Sequence, residues 1–248
     1  GEATARPIPR PQGTAIVRIG SLTAAMTGAN RQTLDASGIQ YFTVHSHANQ
    51  HAGYFPGAQP VHILMHVGTD GQILGAQAVG AEGVDRRIDV IATAMRARLA
   101  APDLMDLDLA YAPPYGQAKD PVNQTGMVAH NVLTGQLALT GPNELTEDMP
   151  VLDVRTPAEY AQGHMPNSLN IPHTQLRDRL DEVQAWVDEE IGDRPFVVMC
   201  AAGVRSWIGY RIVRAAGFNV TMLSGGIQTL RAWLGERAET VLAAEGDR

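Results

Sequence analysis

Four short apolar runs, at 151 to 154, 168 to 171, 196 to 200 and 219 to 223, alternate with stretches of helical periodicity. Strands that alternate with helices in this way build a central parallel sheet wrapped by helices. Between 204 and 216, Val204, Ile208, Ile212, Val213 and Ala216 recur at helical spacing. That stripe is expected to pack on the sheet. Sites in open α/β sheets lie at the carboxyl ends of strands, which directs attention to the end of the third run.

There the apolar residues Phe196-Val197-Val198-Met199 break into Cys200-Ala201-Ala202-Gly203-Val204-Arg205, and Cys200 is the chain's one cysteine. A thiol at a strand-to-helix turn faces loop amides and the positive end of the helix dipole, surroundings that favour a nucleophilic thiolate. Arg205 adds a permanent charge, Gly203 permits a positive φ, and Ser206 brings a hydroxyl to the first helical turn. The small side chains leave room for an anion held by successive amides and one planar guanidinium. The competing reading is a buried core cysteine that ends a strand. Arg205 weighs against it, because a guanidinium is not buried without an anionic partner.

Three further segments surround this loop. Asp153-Val154-Arg155-Thr156-Pro157 ends a strand, with Thr156 as N-cap, Pro157 at the first helical position and Glu159 completing a capping box. Gly163-His164-Met165-Pro166-Asn167-Ser168-Leu169-Asn170-Ile171-Pro172 forms a turn and a short strand, and Leu223-Ser224-Gly225-Gly226 precedes a helix carrying Trp233. Together with Cys-x-x-Gly-x-Arg-Ser, these motifs resemble the rhodanese, or sulfurtransferase, domain.

The resemblance implies that Cys200 attacks the sulfane sulfur of a donor such as thiosulfate and becomes a persulfide, whose outer sulfur passes to a second thiol. Arg205 and the amides of Ala201, Ala202, Gly203, Val204 and Arg205, with Ser206 beside them, would hold the anionic donor. Related phosphatases of the same fold have one more residue between cysteine and arginine, so the count of four favours sulfur transfer. Asp153, Arg155, Glu159 and His164 read as structural: the first two tie down a strand end, Glu159 caps a helix, and His164 fixes a turn. Trp207 and Trp233 read as packing or pocket-rim residues.

The first half has a different texture. Residues 1 to 13, rich in proline and arginine, read as a linker. Strand-like runs follow at 15 to 19, 41 to 45, 61 to 67 and 72 to 79, the last two joined by the hairpin signal Thr69-Asp70-Gly71. A helix is expected over 84 to 99, with Ile88, Ile91, Ala92, Met95 and Leu99 on one face. Residues 115 to 126 read as a long polar loop, and a helix is expected from 127 to 133. The two halves are expected to join near 137 to 148, giving domains at 14 to 136 and 145 to 240.

Gly13-Thr14-Ala15-Ile16, Thr27-Gly28, Phe55-Pro56-Gly57, the strand at 71 to 80, Asp108-Leu109-Ala110-Tyr111-Ala112-Pro113-Pro114-Tyr115 and Lys119-Asp120-Pro121-Val122-Asn123 carry a second resemblance. It is to the α+β dimerisation domain of flavin-dependent pyridine nucleotide-disulfide oxidoreductases, in the branch of coenzyme A disulfide and persulfide reductases. Some members carry a rhodanese domain at the carboxyl end, the order seen here. The resemblance implies a homodimer and two tyrosines that reach the partner subunit's reductase site, by motif Tyr54 and Tyr111. It also implies FAD, NAD(P)H and coenzyme A for the full-length protein, and N-terminal FAD and NAD domains in the parent.

No Gly-x-Gly-x-x-Gly follows a strand, so no cofactor is expected in this chain and the chain alone is not expected to reduce a disulfide with NADH. It reads as the carboxyl-terminal part of a longer reductase. The alternative is a non-catalytic dimerisation module whose pocket senses an anion. His45, His47 and His51 form a His-x-His-x3-His group, but no carboxylate or cysteine joins them, and no metal is expected. A net charge of −7 argues against nucleic acid and against an anionic membrane surface. The single cysteine suits a reducing cytoplasm.

Overall fold

A computed structural model describes residues 8–242. Part of the expected linker, residues 1–7, lies outside them. The chain divides into two compact units, Gly1–Phe42 with Ala48–Gly126, and Thr43–His47 with Met127–Arg248.

The first unit is built on a sheet of five strands, β1 (Ala15–Ile19), β2 (Leu22–Gly28), β3 (Tyr41–Asn49), β4 (Pro60–Gly68) and β5 (Ile73–Gly80), in the order β1-β2-β5-β4-β3. The pairs β1/β2, β2/β5 and β4/β5 are antiparallel. The turn expected at 69 to 71 joins β4 to β5, and Gly71 has φ +87° while its N–H donates to Gly68 O at 2.9 Å. Helix α1 (Arg31–Ser37) starts at Asn30, whose side chain caps Thr33 N–H, and stops at Gly38 in the left-handed region. Helix α2 (Val84–Ala97) buries Val84, Arg87, Ile88, Ile91 and Ala94 against β2 and β5.

One expectation fails where the first unit ends in sequence. Helix α3 (Pro121–Leu133) begins six residues before the expected 127, inside the stretch read as a loop. Its start is a reciprocal cap: Asp120 Oδ1 accepts from Val122 N–H, and Asn123 Oδ1 accepts from Asp120 N–H, both at 3.1 Å. Pro121 then sits where its missing N–H costs nothing.

The second unit holds a five-stranded sheet in the order β6-β10-β9-β7-β8, formed by β6 (Leu139–Thr140), β7 (Val151–Asp153), β8 (Ser168–Asn170), β9 (Phe196–Met199) and β10 (Val220–Leu223). Every pair is parallel, as the alternation of strands and helices requires. Strand β6 lies ahead of residue 145, within the stretch read as a join, because a two-residue strand leaves no apolar run to recognise. The helices are α4 (Pro157–Ala161), α5 (Leu180–Trp186), α6 (Val204–Ala215), α7 (Gly226–Leu234) and α8 (Ala238–Val241). Leu152 and Val198 pack on one side of the sheet with Tyr210 and Val213 of α6. Val151, Val197 and Met199 pack on the other with Ile227 and Leu230 of α7. This is the period-two alternation of strands buried on both faces.

Helix α6 presents a different face from the one its apolar pattern suggests. Ser206, Gly209, Tyr210 and Val213 are buried, whereas Val204 is 67% and Ile208 44% exposed. Close approach decides the rotation: a Cβ on Gly209 would stand 3.1 Å from Val154 Cγ1 and 3.3 Å from Val198 Cγ1. The small residues Ser206 and Gly209 thus share the face turned to the sheet with Tyr210 and Val213.

Candidate active site

Strand β9 lies in the interior of the parallel sheet between β7 and β10, and Cys200 follows its last residue. The residue is 1% exposed. Its Sγ accepts the Gly203 N–H at 3.2 Å and lies 3.3 Å from Ser206 Oγ. Ser206 donates its hydroxyl proton to Gly203 O at 2.9 Å, so that proton can be redirected to the sulfur when the thiol ionises. Gly203 has φ +112°, the positive value expected for the turn, and this is what aims its N–H back at Cys200.

The back of the loop is fixed by another helix. Ile227 N–H and Gln228 N–H of α7 donate to Cys200 O at 2.8 Å and Ala201 O at 3.1 Å. The carbonyls of the loop are thereby turned into the first turn of α7. A Cβ on Gly226 would collide with the Cys200 carbonyl, so the approach requires glycine there.

Arg205 does not stand free. Its Nη1 and Nη2 donate to Glu159 Oε2 at 2.7 Å and Oε1 at 2.6 Å, a two-pronged ion pair. Glu159 does form the expected capping box, accepting from Thr156 N–H at 3.1 Å and Thr156 Oγ1 at 2.8 Å. The Arg205 guanidinium foremost, against a smaller effect of burial, holds the Glu159 carboxyl down at about 2. The same bond raises Arg205 further. The capping role of Glu159 is legible in the sequence, and its second partner is not. Nothing in a 46-residue separation signals that contact.

A second, buried ion pair supports the first. Arg155 Nε and Nη2 bind Asp153 at 2.6–3.0 Å, and its remaining donors reach Glu159 O at 3.0 Å and Gly163 O at 2.8 Å. Asp153 and Arg155 therefore tie the end of β7 to the middle of α4 and to the turn that follows it. His164 Nδ1 lies 3.1 Å from Tyr160 O while its ring stacks on Tyr160 at 3.8 Å. Trp207 packs against the core, and Trp233 is 53% exposed.

In the first unit, Tyr54 and Tyr111 are exposed, and their hydroxyls lie 3.4 Å apart. The bond Ala52 N–H to Pro113 O, 3.3 Å, draws the two segments together. Phe55 instead packs edge-on against His51, and Tyr115 stands exposed. In the same unit the buried Arg87 binds Asp120 Oδ2 at 2.7 Å and Gln50 O at 2.6 Å, a clamp with no signal in the sequence. Among the described residues no three His, Cys, Asp or Glu side chains cluster as a metal site would, and no helix is long and apolar enough to cross a membrane.

Residues 14–121 match the pyridine nucleotide-disulphide oxidoreductase dimerisation domain, and residues 141–232 match the rhodanese-like domain. The chain is a reductase dimerisation domain joined to a rhodanese domain. It is 40% identical to the crystal structure of reduced Bacillus anthracis CoADR-RHD, with a TM-score of 0.84 over 91% of this chain and 40% of that one. It is 37% identical to a NAD-dependent persulfide reductase from A. fulgidus, with a TM-score of 0.80 over 90% of this chain and 40% of that one. Coenzyme A disulfide reductase of Staphylococcus haemolyticus is 39% identical over 121 residues, 48% of this chain and 27% of that protein. The chain thus spans about a quarter of that curated relative and two fifths of the two solved relatives.

Proposed function

We propose that the rhodanese domain is a sulfurtransferase module in which Cys200 carries a persulfide. The observation that carries this reading is the loop after β9, where Gly203 N–H points at Cys200 Sγ and Arg205 follows at the four-residue spacing. In the first half-reaction the Cys200 thiolate attacks the outer sulfur of a donor. A bond forms between Sγ and that sulfur, the donor's S–S bond breaks, and the electron pair leaves as sulfite or as a thiolate. Gly203 N–H and the Ser206 hydroxyl stabilise negative charge on the cysteine side. A thiol acceptor then takes the outer sulfur, and Cys200 returns as thiolate.

The test is intact mass after incubation with thiosulfate or an organic persulfide, comparing the wild type with Cys200→Ser. The wild type should gain one sulfur atom, reversibly with cyanide, and the variant none. No gain with any donor would favour the alternative, an anion-sensing dimerisation module. The burial of Cys200 and the ion pair already made by Arg205 give that alternative its footing.

In a reductase-length protein, Tyr54 and Tyr111 would act at a disulfide or persulfide reductase site of the partner subunit. Their paired hydroxyls support this choice over Phe55 and Tyr115. FAD, NAD(P)H and coenzyme A would belong to that larger protein: no Gly-x-Gly-x-x-Gly turn occurs in these 248 residues, so no step here runs through them. The expected partners are a small sulfur donor, a thiol acceptor, a second copy of the chain and the FAD and NAD domains. A reducing cytoplasm suits chemistry resting on one free thiol, and cell fractionation that recovered the protein elsewhere would overturn that placement.

A further inference from the structure

We infer that Glu159 determines which donors the Cys200 loop accepts, setting it against dianions such as thiosulfate and in favour of singly charged organic persulfides. The inference rests on the sulfurtransferase reading and adds a residue that reading does not use. It begins from the charge count at the mouth of the loop. The one cation of the loop, Arg205, is matched by a carboxylate that occupies both of its terminal nitrogens. An incoming anion therefore meets a neutral pair instead of a free guanidinium.

The carboxylate is not positioned to yield. Glu159 Oε2 also accepts from Thr156 N–H and Thr156 Oγ1, and Arg155 holds the Glu159 backbone carbonyl at 3.0 Å. Arg155 is itself pinned by Asp153, which is fully buried. Moving Glu159 off Arg205 would break an ion pair and open a helix cap together. A doubly charged donor must do this, or enter with the Gly203 amide as its main fixed donor. A singly charged persulfide asks less of the loop.

The rim of the loop supports the same preference. Val204 and Ile208, one helical turn apart on α6, are exposed beside Arg205 when the apolar pattern would have buried them. They offer carbon contacts to the organic arm of a persulfide and nothing to the three oxygens of thiosulfate. With an alkyl persulfide, Cys200 Sγ bonds the outer sulfur, the donor's S–S bond breaks, and the alkyl thiolate leaves with the electron pair and takes a proton from water. With thiosulfate, sulfite leaves instead. Neither route needs an external oxidant or reductant.

The experiment measures second-order rates of sulfur loading at Cys200 by intact mass, with thiosulfate and with hydroxyethyl persulfide, for the wild type, Glu159→Gln and Cys200→Ser. Glutamine keeps a side chain able to close the capping box while removing the charge. The wild type should load faster from the persulfide. In Glu159→Gln the ratio of thiosulfate to persulfide rate should rise about tenfold, chiefly through a lower KM for thiosulfate, as expected when a partly exposed charge-assisted pair is released. A role confined to capping would slow both donors alike and leave the ratio unchanged, which overturns the inference while leaving the sulfur-carrier reading intact. Loading with neither donor in the wild type would instead sink that reading. Should Glu159→Gln fail to fold, the wild-type rates still decide: thiosulfate equal to or faster than the persulfide refutes the preference.

Discussion

Replacing Asp120 by asparagine removes one charge from a pair whose side chains are 2% and 4% exposed. The oxygen that caps Val122 and the shape of the side chain survive, so the loss falls on Arg87. Its guanidinium remains in the interior with only the carbonyls of Gln50 and Gly83, at 2.6 and 3.2 Å, to balance it. Leaving one member of a buried pair without its counter-charge costs roughly 3–5 kcal/mol, and we take about 3 because asparagine still accepts a hydrogen bond. With a urea slope of about 1.5 kcal/mol per molar for a unit of this size, the midpoint should fall by about 2 M. The assay can separate the two units without dissecting the chain, because all three tryptophans, Trp186, Trp207 and Trp233, lie in the second. Far-UV circular dichroism should therefore show an early transition in Asp120→Asn that tryptophan fluorescence does not report. A dichroism midpoint within about 0.5 M of the wild type would refute the argument that this clamp carries the first unit.

Two other outcomes follow from the ion pair and the tyrosines. Glu159 has its folded value depressed to about 2 from an ordinary 4.5, so its contribution is fully present above about 4.5 and lost as pH falls through 2. After discounting for solvent screening that contribution is about 1 kcal/mol, and the stability gap between the wild type and Glu159→Gln should close over that window; a constant gap would contradict it. Tyr111 ionises above the ordinary tyrosine range chiefly through its hydrogen bond with Tyr54, so Tyr54→Phe should bring its tyrosinate absorbance down in pH. An unmoved titration would mean that the hydroxyls do not meet in solution.

The sequence was most readable where chemistry and geometry are written in adjacent residues. Strands β7 to β10, the capping box at Thr156 and Glu159, and the positive φ of Gly203 all follow from residues within a few positions of one another. What escaped was set by contacts between distant segments. The face of α6 turned on Gly209 meeting Val154 and Val198, a packing fact that apolar periodicity does not encode. The second partner of Glu159 and the clamp of Arg87 on Asp120 join residues 46 and 33 positions apart. The start of α3 was legible in Asp120-Pro121-x-Asn123, but the surrounding polar residues suggested a loop.

The two hydrogen bonds from α7 to the carbonyls of Cys200 and Ala201 bear on how this domain can evolve. A phosphatase of the same fold needs one more residue between cysteine and arginine, yet the loop's first two peptide planes are held by a helix that begins more than twenty positions later. An insertion beside Cys200 or Ala201 would pull those carbonyls off Ile227 and Gln228 or drive them into Gly226. An added residue is therefore confined to the stretch after Ala201, unless α7 changes with it. The start of the loop is thus held by a helix that contributes no side chain to the thiol's hydrogen bonds.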